Sequence, residues 1–210
     1  FLEVNHLEKS FQTRFSKEKT QALRDVNFIA EEGEFIAIMG ESGSGKTTLL
    51  KAIAGIKSTT GGSFFWEGRD LSEDGDFEPH EIGYVPQFSI AYDELTVDES
   101  IEHSARLRVK ADEDELNDII DNVLAETGLT DIADRQVKLL SGGQKRRVAI
   151  AGVIAMEPSV LILDEPTAVL TPQEITKLFV VLKNMREHGK SIVIITHKLN
   201  EVMEVSDKVS

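Results

Sequence analysis

Gly40-Glu41-Ser42-Gly43-Ser44-Gly45-Lys46-Thr47 lies between the unbroken apolar run Phe35-Ile36-Ala37-Ile38-Met39 and a leucine- and alanine-rich stretch from Thr47 to Ile56. A continuous apolar run suits a strand buried on both faces. The stretch after it reads as a helix that stops at Gly55. A glycine-rich turn of the form G-x-x-x-x-G-K-[ST] between strand and helix is a phosphate cradle. Its glycines let backbone N–H groups converge on an anion, and the helix N-terminus adds partial positive charge. Lys46 can reach the outer phosphates of a nucleotide, and the Thr47 hydroxyl can ligate Mg²⁺. The bland alternative is a chance glycine turn, and the strand and helix on either side count against it.

Outward from that loop, Val160-Leu161-Ile162-Leu163 and Ser191-Ile192-Val193-Ile194-Ile195 read as further buried strands. An amphipathic helical pattern from Pro172 to His188, closed by Gly189, separates them. Strand, helix, strand with apolar strands argues for a parallel α/β sheet. Phe1 to Val4, Val26 to Ala30, Ser63 to Trp66 and Ile82 to Val85 also read as strands. From Val97 to Thr127 the pattern is helical and acidic, with Asp112-Glu113-Asp114-Glu115 as an acidic first turn, and Gln144 to Met156 reads as another helix. Asp164-Glu165 follows the strand Val160 to Leu163 directly. An acid at the end of a central strand can hold the Mg²⁺ of a nucleotide, which is the role predicted for Asp164. The adjacent Glu165 can polarise an attacking water as general base. Two acids after a strand are otherwise an exposed turn; the phosphate cradle upstream reverses that preference.

The 210 residues, 40% hydrophobic and 29% charged, suit one large domain with a sizeable core. A formal net charge of -14 removes the basic footprint of a nucleic-acid binder. With no cysteine, disulfides, zinc–thiolate sites and thiol nucleophiles are excluded. The longest apolar run, Val148 to Met156, is interrupted by Gly152 and falls short of the roughly 18 residues of a membrane span. No secretory signal is visible, and a chain running from Phe1 to Ser210 reads as a trimmed domain.

Leu140-Ser141-Gly142-Gly143-Gln144 looks like a second anion site, because small residues at a helix start leave N–H groups free for a phosphate; Lys145, Arg146 and Arg147 follow it. Alone it would be an ordinary Ser-Gly-Gly helix cap. The pentapeptide is identical to the LSGGQ signature of the ABC ATPases, and the chain resembles an ABC nucleotide-binding domain over nearly its full length, with the motifs in family order. The resemblance implies an α/β P-loop NTPase fold. It has a mainly parallel sheet core with an N-terminal antiparallel β subdomain, over residues 1–87 and 148–210, and an inserted α-helical signature subdomain over 88–147. It implies that Gly40, Glu41, Ser42, Gly43, Ser44, Gly45, Lys46, Thr47 and Thr48 bind ATP, and that Ser141, Gly142, Gly143 and Gln144 cap an ATP held by another copy. Gln87, in Val85-Pro86-Gln87, would touch Mg²⁺ with Thr47 and Asp164 and face a membrane subunit. Glu165 would be the catalytic glutamate, acting with Lys46 and with His197 of Thr196-His197, a switch histidine on the γ-phosphate. Phe11 would stack on adenine, with Phe15 the competing candidate and a core role open to either. Taken singly, Gln87 could be a surface glutamine and His197 a satisfied helix-start histidine.

The partners implied are a second copy or a second nucleotide-binding subunit and a transmembrane transporter subunit, with no nucleic acid and a place on the cytoplasmic face of the membrane. The rival readings are a soluble ABC ATPase not coupled to transport, and an engineered ABC-fold chain with little activity. The resemblance is composite: the first third is similar to lipoprotein-exporter ATPases and the last forty residues to importers of sugars or nucleosides. Ala168-Val169-Leu170-Thr171 stands where the family usually has Ser-Ala-Leu-Asp, so Thr171 occupies the D-loop aspartate position. Asp70, Ser72, Asp74, Gly75 and Glu81 fit the spacing of an EF-hand calcium loop, with Phe77 at its apolar position. Strand-like flanks in place of helices, and Pro79 within the loop, argue against that reading.

Overall fold

Two strand patterns build two sheets. The computed structural model describes residues 2–12, 19–71, 77–78, 80–87, 92–196 and 207–209. The nearly all-apolar strands β3 (Phe35–Ile38), β7 (Val160–Asp164) and β8 (Ser191–Ile195) are buried at every position. With β6 (Ile82–Val85) and β9 (Lys208–Val209) they form a five-stranded parallel sheet in the order β6-β7-β8-β3-β9. Strand residues point alternately to opposite faces. Accordingly Phe35, Leu161, Leu163, Ile192 and Ile194 enter one hydrophobic cluster, while Ile36, Ile38, Val160, Ile162 and Val193 enter another. A strand with cores on both sides has no face for polar residues, which is why these runs are unbroken.

The second sheet is antiparallel, in the order β2-β1-β4-β5, from β1 (Leu2–Gln12), β2 (Lys19–Ala30), β4 (Gly61–Trp66) and β5 (Arg69–Asp70). Its buried residues, among them Leu2, Val4 and Trp66, share a cluster with Leu49, Leu50 and Ile53 of α1 (Lys46–Ile53). Strand β2 begins well before Val26, since Lys19, Thr20 and Gln21 are exposed and held by pairing with Gln12, Phe11 and Ser10 rather than by burial.

Helices α2 (Val97–Arg106), α3 (Glu113–Thr127), α4 (Gly142–Ile154) and α5 (Pro172–Glu187) cover the other face of the parallel sheet. The helical pattern from Val97 to Thr127 is two helices, and the acidic first turn expected at Asp112 to Glu115 opens the second of them. Asp112 caps α3 by accepting from the Asp114 and Glu115 amides while the Glu115 side chain reaches back, and this box starts a new helix. Arg106, the last residue of α2, ties the two together through an ion pair with Glu113 at 2.7 Å, and it also pairs with Glu102 of its own helix at 2.7 Å. The 147/148 division falls inside α4, whose Val148 and Ile150 share one cluster with Leu116 of α3 and Leu161 of β7.

The segment with calcium-loop spacing is flanked by strands β4 and β6. The Glu81 carboxylate there accepts from the Trp66 indole at 2.9 Å, from Arg69 and from the Glu78 amide at 2.7 Å. Ser72, Asp74, Gly75 and Pro79 lie outside the described residues.

Candidate functional site

Strands β3, β8 and β7 are neighbours running in one direction, so the segments that follow them meet at one sheet edge. That edge is where open α/β sheets bind ligands.

The phosphate loop follows β3. Gly40, Gly43 and Gly45 all have positive φ, of 156°, 85° and 98°. Gly45 is also crowded, since a Cβ there would lie 2.4 Å from the Ala22 carbonyl oxygen. This position therefore demands glycine on two grounds, backbone conformation and space. Lys46 opens α1 and is buried; its ammonium donates to the Gly40 and Glu41 carbonyls at 2.7 and 2.6 Å and to the Ser44 hydroxyl at 3.3 Å. The cation is thus drawn into the middle of the loop. Glu41, Ser42 and Gly43 are exposed, and Thr48 is half-buried in the first turn of α1. Gly45→Ala is expected to weaken MgATP binding by about tenfold or more, from a strain of about 1–3 kcal/mol. A titration with fluorescent nucleotide measures it, and an unchanged Kd would show that the loop yields.

Asp164 ends β7 with its carboxylate buried, and it accepts from the Thr47 hydroxyl at 3.2 Å and from the Tyr84 hydroxyl at 3.4 Å. Burial pushes the Asp164 carboxyl above the usual carboxylate range, with Glu165 adding to this; the Thr47 and Tyr84 bonds and Lys51 only partly oppose it. Burial, then the neighbouring Asp164 charge, raises the Tyr84 phenol in turn. A buried carboxylate beside a hydroxyl is a hard-oxygen set that fits Mg²⁺, and a cation there would offset the buried charge.

Glu165 has a φ of 48°, unusual for a residue with a side chain, and its amide donates to the Ile195 carbonyl at 3.0 Å. The strained backbone turns the side chain out of the strand line toward Gln87, whose amide donates to the Glu165 carboxylate at 2.8 Å. Gln87 is exposed. The structure joins Gln87 directly to the predicted base, next in the chain to Asp164, the predicted Mg²⁺ ligand. Thr196 at the end of β8 is buried; His197, which follows it, lies outside the described residues, as does Phe15. Phe11 lies near the end of β1 opposite Thr20 and is 38% exposed, with the Lys9 and Lys57 ammonium groups 5.4 and 5.1 Å from its ring centroid.

Ser141 caps α4 in a reciprocal box, accepting from the Gln144 amide at 3.2 Å while its own amide donates to the Gln144 side chain at 2.9 Å. Ser141 and Gly142 are exposed, and the Gly142 and Gly143 amides belong to the first turn, where no helical carbonyl precedes them. The three cations that follow are committed elsewhere and do not extend the anion site. Lys145 pairs with Asp93 at 2.7 Å, and Arg147 with Glu174 at 3.4 Å. Arg146 is 3% exposed and donates to the carbonyls of Pro86, of Gln87 at 3.4 Å and of Asp164 at 2.9 Å. Burial holds its pKa down near 10 against the opposing pull of Asp164 and Tyr84. Sequence reasoning missed Tyr84, the burial of Arg146 and the place of Glu174. The one available signal was a run of three cations on a helix, which must point in three directions.

A family model for ABC transporters matches residues 23–168. An uncharacterised ABC transporter ATP-binding protein of Bacillus subtilis, YtlC, is 36% identical over all of this chain and 78% of its own length. The energy-coupling factor transporter ATP-binding protein EcfA2 of Clostridium acetobutylicum is 37% identical over 90% of this chain and 68% of its own. A solved dimer of the ATP-binding cassette MJ0796 in a post-hydrolysis state with ADP and Pi superposes with a TM-score of 0.84. It is 30% identical and covers 96% of this chain and 90% of that one.

Proposed function

This chain belongs to the ABC transporter family of ATP-binding subunits, and from that membership we propose how its own residues hold, enclose and hydrolyse the nucleotide. The chain binds ATP and hydrolyses it to drive transport through a separate membrane subunit. Among the described residues no helix is long and apolar enough to cross a membrane.

One observation carries the assignment of roles: Thr47 lies 3.2 Å from Asp164 and Gln87 lies 2.8 Å from Glu165, so cradle, metal ligand and base share one sheet edge. The loop amides of Gly40 to Thr48 surround the phosphates, and the Lys46 ammonium exchanges its loop carbonyls for phosphate oxygens. Phe11, partly exposed with the Lys9 and Lys57 ammonium groups over its ring, is the side chain that would stack on adenine. Thr47, Asp164 and Gln87 would hold the nucleotide's Mg²⁺. The ion supplies neutralisation of charge on the outer phosphates. Glu165 takes a proton from the attacking water as its oxygen bonds to the γ-phosphorus; the bond to the bridging oxygen breaks, and ADP and phosphate leave. His197 contacts the γ-phosphate.

A second copy, or a second nucleotide-binding subunit, closes the site with Ser141, Gly142, Gly143 and Gln144. Two exposed apolar side chains support such a covered face: Leu139 beside the signature at 73% and Val169 after Glu165 at 59%. The membrane subunit docks next to Gln87, at a cleft of about 290 Å³ between α2, α4 and β6 lined by Tyr84, Pro86, Tyr92, His103 and Leu107. Tyr92 and Leu107 are 69% and 81% exposed there. The protein then sits on the cytoplasmic face of the membrane.

Calorimetric titration with MgATP tests the reading. The parent should bind, and Lys46→Ala should bind at least about a hundredfold more weakly, as expected for a lost buried charge–phosphate contact. A parent that fails to bind, or a Lys46→Ala protein that binds equally, would sink it.

A further inference from the structure

Glu174 is the third residue of α5, and its carboxylate lies flat against the signature turn. A Cβ on Gly143 would stand 2.7 and 3.0 Å from its two oxygens. Oε2 accepts from the Thr171 amide at 2.9 Å and from the Thr171 hydroxyl at 3.0 Å. Oε1 accepts from Arg147 at 3.4 Å, and Arg147 also donates to the Thr127 and Gly128 carbonyls that close α3, at 3.2 and 2.9 Å. The two side chains are only 13% and 18% exposed. One carboxylate therefore touches the tip of α4, the end of the segment that follows Glu165, and, through Arg147, the end of α3. Burial alone would raise the Glu174 carboxyl. The Thr171 amide and hydroxyl and the Arg147 charge outweigh that and hold it below its ordinary range.

We propose that Glu174 is a positioning residue for the shared ATP site. It fixes the signature turn of Gly142 and Gly143 at a set height relative to the 166–171 segment, so that both meet a partner copy in register. The proposal rests on the two-copy enclosure of ATP described above. The physical reason is that Glu174 has two jobs with different requirements. Capping α5 needs only an acceptor that reaches back to residue 171. Holding the signature turn needs an oxygen pair pressed on a residue without a side chain, together with the Thr171 hydroxyl and the Arg147 guanidinium. Aspartate at 171 would cap α5 as well as threonine does, yet it removes the hydroxyl donor and sets a second carboxylate against the first. Thr171→Asp thus keeps the cap and breaks the link.

The test uses full-length protein carrying Glu165→Gln, with ATP-driven dimerisation followed by sedimentation and ATP binding to the single copy followed by titration under dilute conditions. Adding Glu174→Ala or Thr171→Asp should weaken dimerisation at least about tenfold while single-copy ATP affinity stays within about twofold. Glu174→Gln, which fills the same space and keeps one oxygen for the Thr171 amide but turns an NH2 toward Arg147, should keep the cap of α5 and recover only part of the loss. Undiminished dimerisation by Glu174→Ala overturns the proposal, as does a loss that appears equally in single-copy binding, since that is a folding role. If the Glu165→Gln parent stays monomeric with ATP, the two-copy enclosure itself fails and this proposal falls with it. A parent that dimerises alongside an equally dimeric Glu174→Ala protein defeats this proposal alone.

Discussion

Glu165→Gln is expected to lower kcat for ATP hydrolysis by about 10²- to 10⁴-fold, the usual contribution of a general base, while MgATP binding persists and an ATP-bound dimer accumulates. The substitution isolates the proton-accepting step because so little else changes. Glutamine has the same length, and its carbonyl oxygen can still accept from the Gln87 amide that now meets Glu165 at 2.8 Å. The left-handed backbone at 165 and its bond to the Ile195 carbonyl lie in the main chain and are common to both proteins. Asp164 and Thr47 keep their 3.2 Å contact, so the metal ligands are undisturbed. What is lost is an oxygen basic enough to take a proton from water. Single-turnover hydrolysis with radiolabelled ATP, run beside sedimentation, separates slow chemistry from failed binding. Normal turnover would remove Glu165 from the role of base and leave its strained backbone without a catalytic explanation.

The parts of this site that are legible in sequence are those set by local rules. Strands β3, β7 and β8 announce themselves because cores on both faces forbid polar residues, and the glycines of the phosphate loop are fixed by backbone angles. The helix starts at Asp112 and Thr171 follow from capping boxes whose letters, D-x-x-E and T-x-x-E, stand in the chain, and the acidic first turn read at Asp112 to Glu115 is the start of α3. What local rules do not carry is the partner chosen by each long polar side chain. Lys145, Arg146 and Arg147 look alike as three cations beside an anion site, yet a rotation of about 100° per residue sends them to a surface aspartate, into the core and onto α5. The same holds for Tyr84, which reads as a strand tyrosine until Asp164 is seen beside its hydroxyl. These contacts span 18 to 80 residues of sequence, and only the folded chain brings them together.

Arg146→Met is expected to lower kcat by about a hundredfold, the cost of misplacing a catalytic group by about an ångström, with a far smaller effect on folding. Two opposing energies set the size of the folding change. The buried guanidinium, its pKa held near 10 by burial even against the pull of Asp164 and Tyr84, carries a net electrostatic cost on the order of 3 kcal/mol that methionine would relieve. Against this stand its bonds to the carbonyls of Pro86 and Asp164, which become buried acceptors without a donor, at about 1–3 kcal/mol each, together with the lost charge-assisted bonds. The bonds prevail by a narrow margin, so unfolding by urea should show a loss of about 2 kcal/mol, which a domain of this size can survive. Function has no such offset. Arg146 ties the carboxyl end of β7, where Asp164 and Glu165 sit, to the segment after β6 that carries Gln87, and ties both to the helix that begins at the signature. Without it the 2.8 Å contact between Gln87 and Glu165 loses the anchor on each side. Arg146→Lys should fall between the two, since a lysine keeps the charge but cannot fork to two carbonyls. A Met variant with parental kcat would show that the strand ends hold their places unaided, whereas one that fails to fold would show that the carbonyl bonds outweigh the buried charge by much more than the 2 kcal/mol expected.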